Sequence, residues 1–347
     1  MRVLCLTDFP VKPSDRWIWN YLPDCPDEVD FLWATAPDRS AGLGKLTTRY
    51  PAYYRLALQA HAQLFHEHYD LVVAWEASVG IPFALVSRLQ RRQVPPFVLL
   101  AFNPGDIFVI FQPLIRQGLK NVAHCTVLTA TEASAYAERY RIPTEHITIS
   151  PLPSYDLHAE MQHHAAAHPY GGQPYLHASG RSSRDYATLV KAVTGLPIKA
   201  VIHGRGYNFK GLQVPSNVEI GELASRDEFH RLVYHALFEV VPLQPRLRPA
   251  GSSQVVFAMM MGKPVVATRN PSLADLVEEG VTGLLVEPGD VAAMRQAIRY
   301  LLEHPEEVAR MGAAARRRFE ERHSFEQFAR NTHQLLQQVA QRSGRQR

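Results

Sequence analysis

The chain has 347 residues, a length that predicts two domains because a single hydrophobic core seldom grows that large. Hydrophobic residues make up 46% and charged residues 20%, values typical of a soluble globular protein. The formal net charge of +4 is only mildly basic, and the positive residues are scattered except near the carboxyl end, which argues against a nucleic-acid partner.

Cysteine usage and hydropathy indicate the expected compartment. The three cysteines, Cys5, Cys25 and Cys125, lie far apart without the paired spacing of a zinc or redox motif, so we expect a reducing cytoplasm. The opening residues MRVLCLTDFP predict a first strand and not a signal peptide. Because no run of about 18 uncharged apolar residues occurs, we expect any membrane contact to be peripheral.

Short apolar runs alternate with helical stretches through the first half of the chain. Strands are predicted at residues 2–7, 29–34, 71–75, 97–102, 125–129 and 146–150. Helices are predicted at residues 53–68, 82–90, 112–119 and 131–140. Because β-branched strands of this kind are buried on both faces, the pattern indicates a parallel sheet in an α/β domain at residues 1–155.

The composition then changes to histidine, alanine, glycine and proline, with no strand signal. We therefore place a linker between the domains at residues 156–174. His163, His164 and His168 fall in this segment. A solvated linker with clustered imidazoles accounts for them more simply than a metal site does, so no metal ligands are predicted.

The second half repeats the alternation of strands and helices. Strands are predicted at residues 175–179, 198–203, 238–242, 264–268 and 283–286, and helices at residues 186–194, 225–235, 272–279, 291–302 and, broken near His323, 306–339. These elements predict a second domain at residues 175–325, followed at 326–347 by a helix that packs back on the first domain and by a basic tail. The expected architecture is two doubly wound, Rossmann-like domains whose parallel sheets face a central cleft.

Residues 250–268, AGSSQVVFAMMMGKPVVAT, predict a helix that is apolar on every face and must be buried. Ser252 or Ser253 can cap its first turn, and Gly262 suits a left-handed end. The free N–H groups of that first turn, approached by a loop containing Gly251, would suit an anion such as a phosphate. A core helix with an ordinary cap is the alternative for the same residues.

The sequence after this helix carries a family resemblance. GKPVVAT, followed by LADLVEEGVTGLLVEPGDVAAMRQAIRYLLEHPEEVARMGAAARR, resembles the donor-side domain of the GT-B glycosyltransferases of family 4. The resemblance covers roughly residues 175–340. It implies a retaining, hexosyltransferase-like enzyme of glycan biosynthesis that needs no metal or cofactor. Such an enzyme moves a sugar from a UDP- or GDP-sugar donor to a glycan, lipid-linked or small-molecule acceptor.

The stretch SGRSSRDYATLVKA would supply positive charge to the leaving diphosphate, where negative charge builds as the glycosidic bond breaks. Gly180 and Arg181 fall where the family has Gly-Arg, and Arg184 falls near its phosphate-binding lysine. The loop is shorter here, and Asp185 replaces a glycine. The resemblance therefore implies that Arg181 and Arg184 bind the diphosphate, whereas a solvated salt bridge to Asp185 is the alternative.

Two backbone segments are expected to complete the donor site: Gly251, Ser252 and Ser253 at the diphosphate, and His203, Gly204 and Arg205 around the base. Glycine is expected at 251 either because the diphosphate approaches closely or because the backbone angle there suits glycine alone.

Two family glutamates, one of which usually holds the ribose, are missing. Aligning GKP places Pro249 and Phe257 at their positions. Their loss removes the family's ribose anchor and keeps a second function open: a non-catalytic GT-B homologue that binds a sugar nucleotide or a partner enzyme. An epimerase or phosphorylase fits less well, because neither a pyridoxal-type lysine nor a dedicated acid pair stands out.

The first domain departs from the family in its loops. Asp8, Arg16, Asn103 and Asp106 follow strands and are candidates to face the cleft. Asp106 lies near the position of the family histidine, so Asp106 and Asn103 are the candidate catalytic residues, contacting the acceptor or the sugar. An aspartate that caps the following helix is the alternative for Asp106.

Two apolar segments of the first domain could contact a membrane. IFVIFQPLIRQGLK joins an apolar run to Arg116 and Lys120, and Trp17 and Trp19 lie in another loop. Such a surface can rest peripherally on the inner face of a membrane, although a core helix is the commoner outcome. We therefore expect a cytoplasmic protein, with peripheral membrane contact as the alternative.

Overall fold

The computed structural model describes residues 1–12, 14–34, 44–90, 94–103, 112–164, 168–245 and 250–344. The chain forms two compact units, one of Met1–Pro151 with Phe328–Arg347 and one of Leu152–Gln327. Within the described ranges, the structure contains no helix with the length and apolarity needed to cross a membrane. The predicted linker at 156–174 falls inside the second unit, and the domain boundaries proposed from the sequence stay a prediction.

The first unit is built on a six-stranded sheet in which every neighbouring pair is parallel. Its strands are β1 (Arg2–Thr7), β2 (Glu28–Trp33), β3 (Leu71–Trp75), β4 (Phe97–Leu100), β5 (His124–Val127) and β6 (Ile147–Ile149). Its helices include α1 (Gly44–His66), α2 (Ala77–Leu89), α3 (Gln112–Leu119) and α4 (Ala130–Tyr140). The strand order is β2-β1-β3-β4-β5-β6.

Trp17 and Trp19 lie in the core of the first unit. A 3-10 helix at Trp17–Tyr21 carries them, and the two side chains are only 7% and 1% exposed. Trp17 packs edge-on against Trp75 and Phe328, with ring centroids 5.2 and 6.3 Å apart. Burial leaves Trp17 and Trp19 no surface to place on a membrane, so the membrane alternative is wrong for this pair.

The second unit also has a six-stranded parallel sheet. Its strands are β7 (Tyr175–Ser179), β8 (Lys199–His203), β9 (Val218–Gly221), β10 (Glu239–Val241), β11 (Val265–Thr268) and β12 (Gly283–Val286). The strand order is β12-β11-β10-β7-β8-β9, and the sequence had not predicted β9. Its helices include α5 (His158–His164), α6 (Tyr186–Val193), α7 (Arg226–His235), α8 (Ser252–Met260), α9 (Pro271–Ala274), α10 (Val291–Glu303) and α11 (Pro305–Arg322), and α12 (Phe325–Gly344) follows them.

Helix α8 is buried from Gln254 to Met260, as its apolar sequence predicts. Gly262 has a φ of +65°, which confirms the left-handed end. The expected serine cap is wrong: the N-cap residue is Gly251, and no side chain caps the helix there. Both serines already lie inside the first turn, whereas a side-chain cap must come from the residue before it. In the first turn, the N–H of Gln254 bonds to the carbonyl of Gly251 at 3.0 Å, whereas the N–H groups of Ser252 and Ser253 have no partner among the described residues.

The predicted fold class is confirmed. Both sheets are parallel, and helices follow their strands in the alternation that the sequence predicts. The central strands β1, β3, β7 and β10 are buried along almost their whole length, as strands covered on both faces must be.

Candidate functional site

A cavity of about 600 Å³ opens at the carboxyl edge of the second unit's sheet. It lies beyond β7, β8 and β9, beside the first turns of α7 and α8. Its lining residues are Ser179, Gly180, Arg181, His203, Gly204, Arg205, Glu222, Leu223, Ser225, Arg226, Phe229 and Ser253. Ligands of doubly wound sheets bind at this edge, where the strand ends and helix starts meet.

The turn after β7 has a backbone that only particular residues can adopt. Gly180 has a φ of +119°, and Ser183 a φ of +57°. The positive φ favours glycine at position 180, and a Cβ there would also displace the guanidinium of Arg184. This turn places the backbone of Gly180 directly on the cavity.

The two arginines of this turn differ in their surroundings. Arg181 is exposed and lines the cavity, and its guanidinium has no partner among the described residues. Arg184 lies behind the turn, where Nε donates to the carbonyl of Ser179 at 2.8 Å and Nη1 to that of Ser182 at 3.0 Å. Burial lowers the pKa of Arg184. Arg184 therefore stabilises the turn. Of these two arginines, Arg181 is the one that lines the cavity.

The alternative considered for the arginines, a salt bridge to Asp185, is wrong, because Asp185 caps α6. Its carboxylate accepts from the backbone N–H of Thr188 at 3.1 Å and from the Thr188 hydroxyl at 2.7 Å. An aspartate at the N-cap satisfies an otherwise free N–H of the first turn.

The residues expected around a base lie together at the end of β8. Gly204 donates its N–H to the carbonyl of Gly221 at 2.9 Å, which joins the segments that follow β8 and β9. The Arg205 guanidinium pairs with Glu222 at 2.8 Å, so its charge is compensated. Arg226, which the sequence analysis missed, is exposed on the cavity with no partner in the described parts of the chain. The signal for it was its place directly after the N-cap serine of α7.

At the start of α8, Ser253 lines the cavity, whereas Gly251 and Ser252 do not. Gly251 has a φ of +84°, which confirms that its backbone angle suits glycine. A Cβ there would lie 2.8 Å from Val241 Cγ1 and 3.4 Å from Leu273 Cδ1. The packing of the protein itself therefore demands the glycine.

The position of a family glutamate is occupied by an aromatic cluster. Phe257 is 9% exposed and stacks on His230, with ring centroids 4.7 Å apart and planes at 16°. It also packs against Phe229 at 4.8 Å, and Phe229 reaches the cavity wall. Pro249, at the other glutamate position, lies outside the described residues.

The candidate catalytic residues belong to the first unit, whereas the cavity belongs to the second. Asn103 is exposed after β4, and Asp106 lies outside the described residues. Arg16 donates from Nη2 to the carbonyl of Asp27 at 2.7 Å. The roles expected for Asn103 and Asp106 stay predictions.

A buried polar pair, also missed from the sequence, lies behind the cavity. His177 on β7 and Glu239 on β10 are fully buried, and Nδ1 of the histidine is 2.8 Å from Oε1 of the glutamate. Gln254 donates from Nε2 to Glu239 Oε2 at 2.7 Å. On the other side, His177 Nε2 lies 3.3 Å from His203 Nδ1. The available signal was a glutamate within the apolar strand FEVVP.

A separate cluster in the first unit joins Cys25, Asp27 and His333, whose potential metal-binding atoms lie within 4.8 Å of one another. Asp27 accepts hydrogen bonds from the Met1 amino group at 2.8 Å, Trp19 Nε1 at 3.1 Å and His333 Nε2 at 2.9 Å. Burial alone would raise the pKa of Asp27, but these hydrogen bonds outweigh it and hold the pKa below its ordinary value. The contacts account for the cluster as a structural link.

Comparison with known proteins shows similarity of this chain to glycosyltransferases. Residues 185–304 match the family model described as glycosyl transferases group 1. A segment of 61 residues, 17% of this chain, is 39% identical to D-rhamnosyltransferase WbpZ of Pseudomonas aeruginosa and spans only 16% of that protein's length.

Several solved structures share the fold along the whole chain. Sucrose-phosphate synthase from Thermosynechococcus elongatus superposes with a TM-score of 0.70 at 18% identity, covering 98% of this chain and 99% of that one. HepE of Anabaena, solved in complex with UDP, gives 0.68 at 16% identity, covering 97% and 100%. WaaG, a glycosyltransferase involved in lipopolysaccharide biosynthesis, gives 0.63 at 14% identity, covering 97% and 99%. The chain therefore has the GT-B fold, and its residues 185–304 are similar to the group 1 glycosyltransferases.

Proposed function

We propose that this protein is a retaining glycosyltransferase of the family 4 type that takes a sugar from a nucleoside diphosphate donor bound in the cavity of the second unit. The observation that carries the proposal is the pair of unpartnered guanidinium groups on the cavity. Arg181 and Arg226 both face it, and neither has a partner among the described residues. Two uncompensated cations in one cavity favour an anionic ligand of corresponding charge.

The start of α8 supports the same ligand. Its first-turn N–H groups carry no side-chain cap, and Ser253 adds a hydroxyl on the cavity side. Free N–H groups and the helix dipole together favour a phosphate at such a position. When the bond between sugar and diphosphate breaks, negative charge builds on the diphosphate, and these groups stabilise it.

The order of strands supports one orientation of the donor in the cavity. Ser253 follows β10, Gly180 and Arg181 follow β7, and the β8 and β9 ends lie farther along the sheet. The diphosphate therefore lies between α8 and the β7 turn, and the base lies towards His203 and Glu222. HepE, which shares the fold, was solved with UDP, which supports a UDP-sugar donor, with a GDP-sugar as the alternative.

The first experiment is a thermal-shift titration with UDP, GDP, CDP and ADP, because a ligand that binds only the native state raises its apparent stability. We expect UDP or GDP to raise Tm progressively with concentration. A hit is followed by incubation with the matching sugar nucleotides and detection of released nucleoside diphosphate, with NMR of the anomeric configuration of the transferred sugar. Absence of any nucleotide effect on Tm would contradict the proposal.

We expect nucleotide binding and sugar transfer to persist in excess chelator. The reason is that arginine side chains and helix N–H groups supply the positive potential which a divalent cation would otherwise provide. The measurement compares donor turnover before and after dialysis against EDTA, then after Mg²⁺ or Mn²⁺ is restored. A complete loss that either metal reverses would contradict a metal-independent mechanism.

The second candidate function is a non-catalytic homologue that binds a sugar nucleotide, and Phe257 favours it. An aromatic ring packed on His230 replaces the carboxylate that the family uses at this position. Nucleotide binding with no donor turnover, across a panel of sugar nucleotides and acceptors, would select this candidate.

A further inference from the structure

His203 presents an unused hydrogen-bonding atom to the cavity. Its side chain is only 8% exposed and lines the cavity wall. Nδ1 lies 3.3 Å from His177 Nε2, and Nε2 of His203 has no hydrogen-bond partner in the described parts of the chain. This atom reaches the cavity surface, where a ligand or water can complete its hydrogen bonding. Whether this atom donates or accepts depends on where the ring carries its proton.

The buried residues behind His203 determine that proton's position, starting from Arg184, which can only donate. Arg184 Nη2 lies 3.2 Å from Gln254 Oε1, so this amide oxygen must face the arginine. The amide nitrogen of Gln254 therefore faces Glu239 and donates to Oε2 at 2.7 Å. The other oxygen of Glu239 lies 2.8 Å from His177 Nδ1, and an ionised carboxylate there requires the proton on that nitrogen.

Charge balance then sets the state of His177. One cation, Arg184, already faces the anion Glu239 through Gln254. Lys263 is a second positive charge near Glu239. Burial lowers the pKa of Lys263, and the charge of Glu239 partly offsets that lowering. A charged His177 would add an uncompensated cation to this interior, which is strongly unfavourable. His177 is then neutral, with its proton on Nδ1 and a lone pair on Nε2.

His203 must consequently donate from Nδ1 to His177. Burial lowers the pKa of His203 to about 4, so the ring is neutral at pH 7 and carries one proton. With that proton on Nδ1, Nε2 bears a lone pair. The cavity thus contains a hydrogen-bond acceptor beside the ends of β8 and β9, where the proposed function places the base.

We propose that His203 determines base specificity: its Nε2 accepts a hydrogen bond from the imino N–H of the donor's base, and Glu239, acting through His177, is the positioning residue that keeps this nitrogen unprotonated. The inference rests on the proposed function. Uracil and guanine carry an imino N–H, whereas cytosine and adenine present a lone pair at the corresponding ring nitrogen. Two lone pairs facing each other leave both buried acceptors unsatisfied.

The first test reads the proton directly in the ligand-free full-length protein. With histidine labelled by ¹⁵N, NMR distinguishes a protonated from an unprotonated ring nitrogen. In the wild type we expect Nδ1 of His203 to be protonated and Nε2 to be unprotonated. In Glu239→Leu, His177 loses the acceptor that holds its own proton on Nδ1, and we expect the His203 proton to redistribute towards Nε2. A wild-type His203 protonated on Nε2 would overturn the proposal.

The second test compares UDP with CDP by titration calorimetry. We expect the wild type to bind UDP at least about tenfold more tightly than CDP, a ratio equivalent to roughly 1.4 kcal/mol. In Glu239→Leu the ratio should fall towards one. Glu219→Gln is the matched control: Glu219 lies on β9 of the same sheet but pairs with Lys199 at 2.7 Å, outside the His177 contacts, and the ratio should stay unchanged.

A double variant distinguishes the positioning role of Glu239 from its effect on the stability of the fold. His177→Phe with Glu239→Leu replaces the buried pair by apolar groups, a change that is often neutral or stabilising. We expect it to melt above the single Glu239→Leu variant and still to lack the preference for UDP. A double variant that keeps the wild-type ratio would overturn the proposal. If the wild type binds no nucleotide at all, the proposed function itself fails, which is a different outcome from tight UDP binding with an unchanged ratio.

Discussion

The Arg181 side chain is exposed to solvent, whereas Arg184, three positions later, donates to backbone carbonyls. This difference determines whether each arginine can bind an anion. An enclosed guanidinium whose donors are already used holds the turn in shape. An exposed one with free donors can take two phosphate oxygens at once. The sequence predicts both residues in the turn. It does not predict which way their side chains point, because this depends on Gly180 and on Gln254, which is 70 residues after Arg184.

We expect Arg181→Ala to weaken binding of a nucleoside diphosphate by about 1.5–3 kcal/mol, the range for a hydrogen bond to a charged group. Titration calorimetry measures the effect. Arg299→Ala is the matched control, since Arg299 is exposed on α10, is bound to Glu303 at 3.0 Å and does not line the cavity. An equal loss in both variants would mean that only overall charge matters.

We expect Gly251→Ala to destabilise the second unit by about 2–4 kcal/mol, since a left-handed backbone and an overpacked contact each cost about 1–2 kcal/mol or more. The added Cβ would lie 2.8 Å from Val241. Gly289→Ala is the control, because its φ of +75° imposes the same strain while nothing lies within 4 Å of its Cβ position. Urea denaturation of both variants isolates the packing contribution, and equal losses would contradict it.

At the scale of elements, the apolar runs were sufficient to locate most strands. Two helices were predicted to start too late, at or just after a proline. The sequence placed helices at 53–68 and 82–90, but α1 and α2 begin earlier and contain Pro51 and Pro82 inside them. Proline favours a first turn, so a helix that continues through it is easily shortened in prediction. Strand β9 was missed because its four residues, VEIG, include a glutamate and a glycine.

The packing of α7 against α8 predicts that the family carboxylate cannot simply be restored. Phe257→Glu would bury an acid against Phe229 and His230, and we expect it to lower the free energy of unfolding by about 2 kcal/mol or more. Phe257→Leu keeps the site apolar and should lose less. Chemical denaturation compares them. A glutamate variant as stable as the leucine variant would indicate that the site accepts a carboxylate.

At the scale of the whole molecule, the two parallel sheets follow from alternating strands and helices, and this much the sequence predicts. The buried pair of His177 and Glu239 does not follow, because its members are 62 residues apart and only the folded sheet brings β7 beside β10. Local pattern could show a charged residue inside a strand but could not identify its partner. The residues of the proposed donor site were therefore predicted by resemblance, whereas the buried pair behind the cavity was not.

The stability of the whole chain should depend on pH through Asp27. Its pKa is lower in the folded protein than the value of about 3.9 usual in an unfolded chain, so its stabilisation is complete above that value and is lost as pH falls through the folded pKa. We expect Asp27→Asn to cost about 1.5–3 kcal/mol at pH 7 and markedly less near pH 3. Asp24→Asn, at an exposed position, is the control for urea melts at both pH values. A loss that does not change with pH would contradict this account of Asp27.

The enclosure of α8 has a consequence for amide hydrogen exchange. Its residues from Gln254 to Met260 are buried, so these amides have no local route to solvent and should exchange only when the surrounding unit opens as a whole. A ligand at the first turn can then slow their exchange only by stabilising that whole unit. The exchange rate of this one buried segment would therefore report occupancy of the cavity even for a ligand that touches none of the reporting amides.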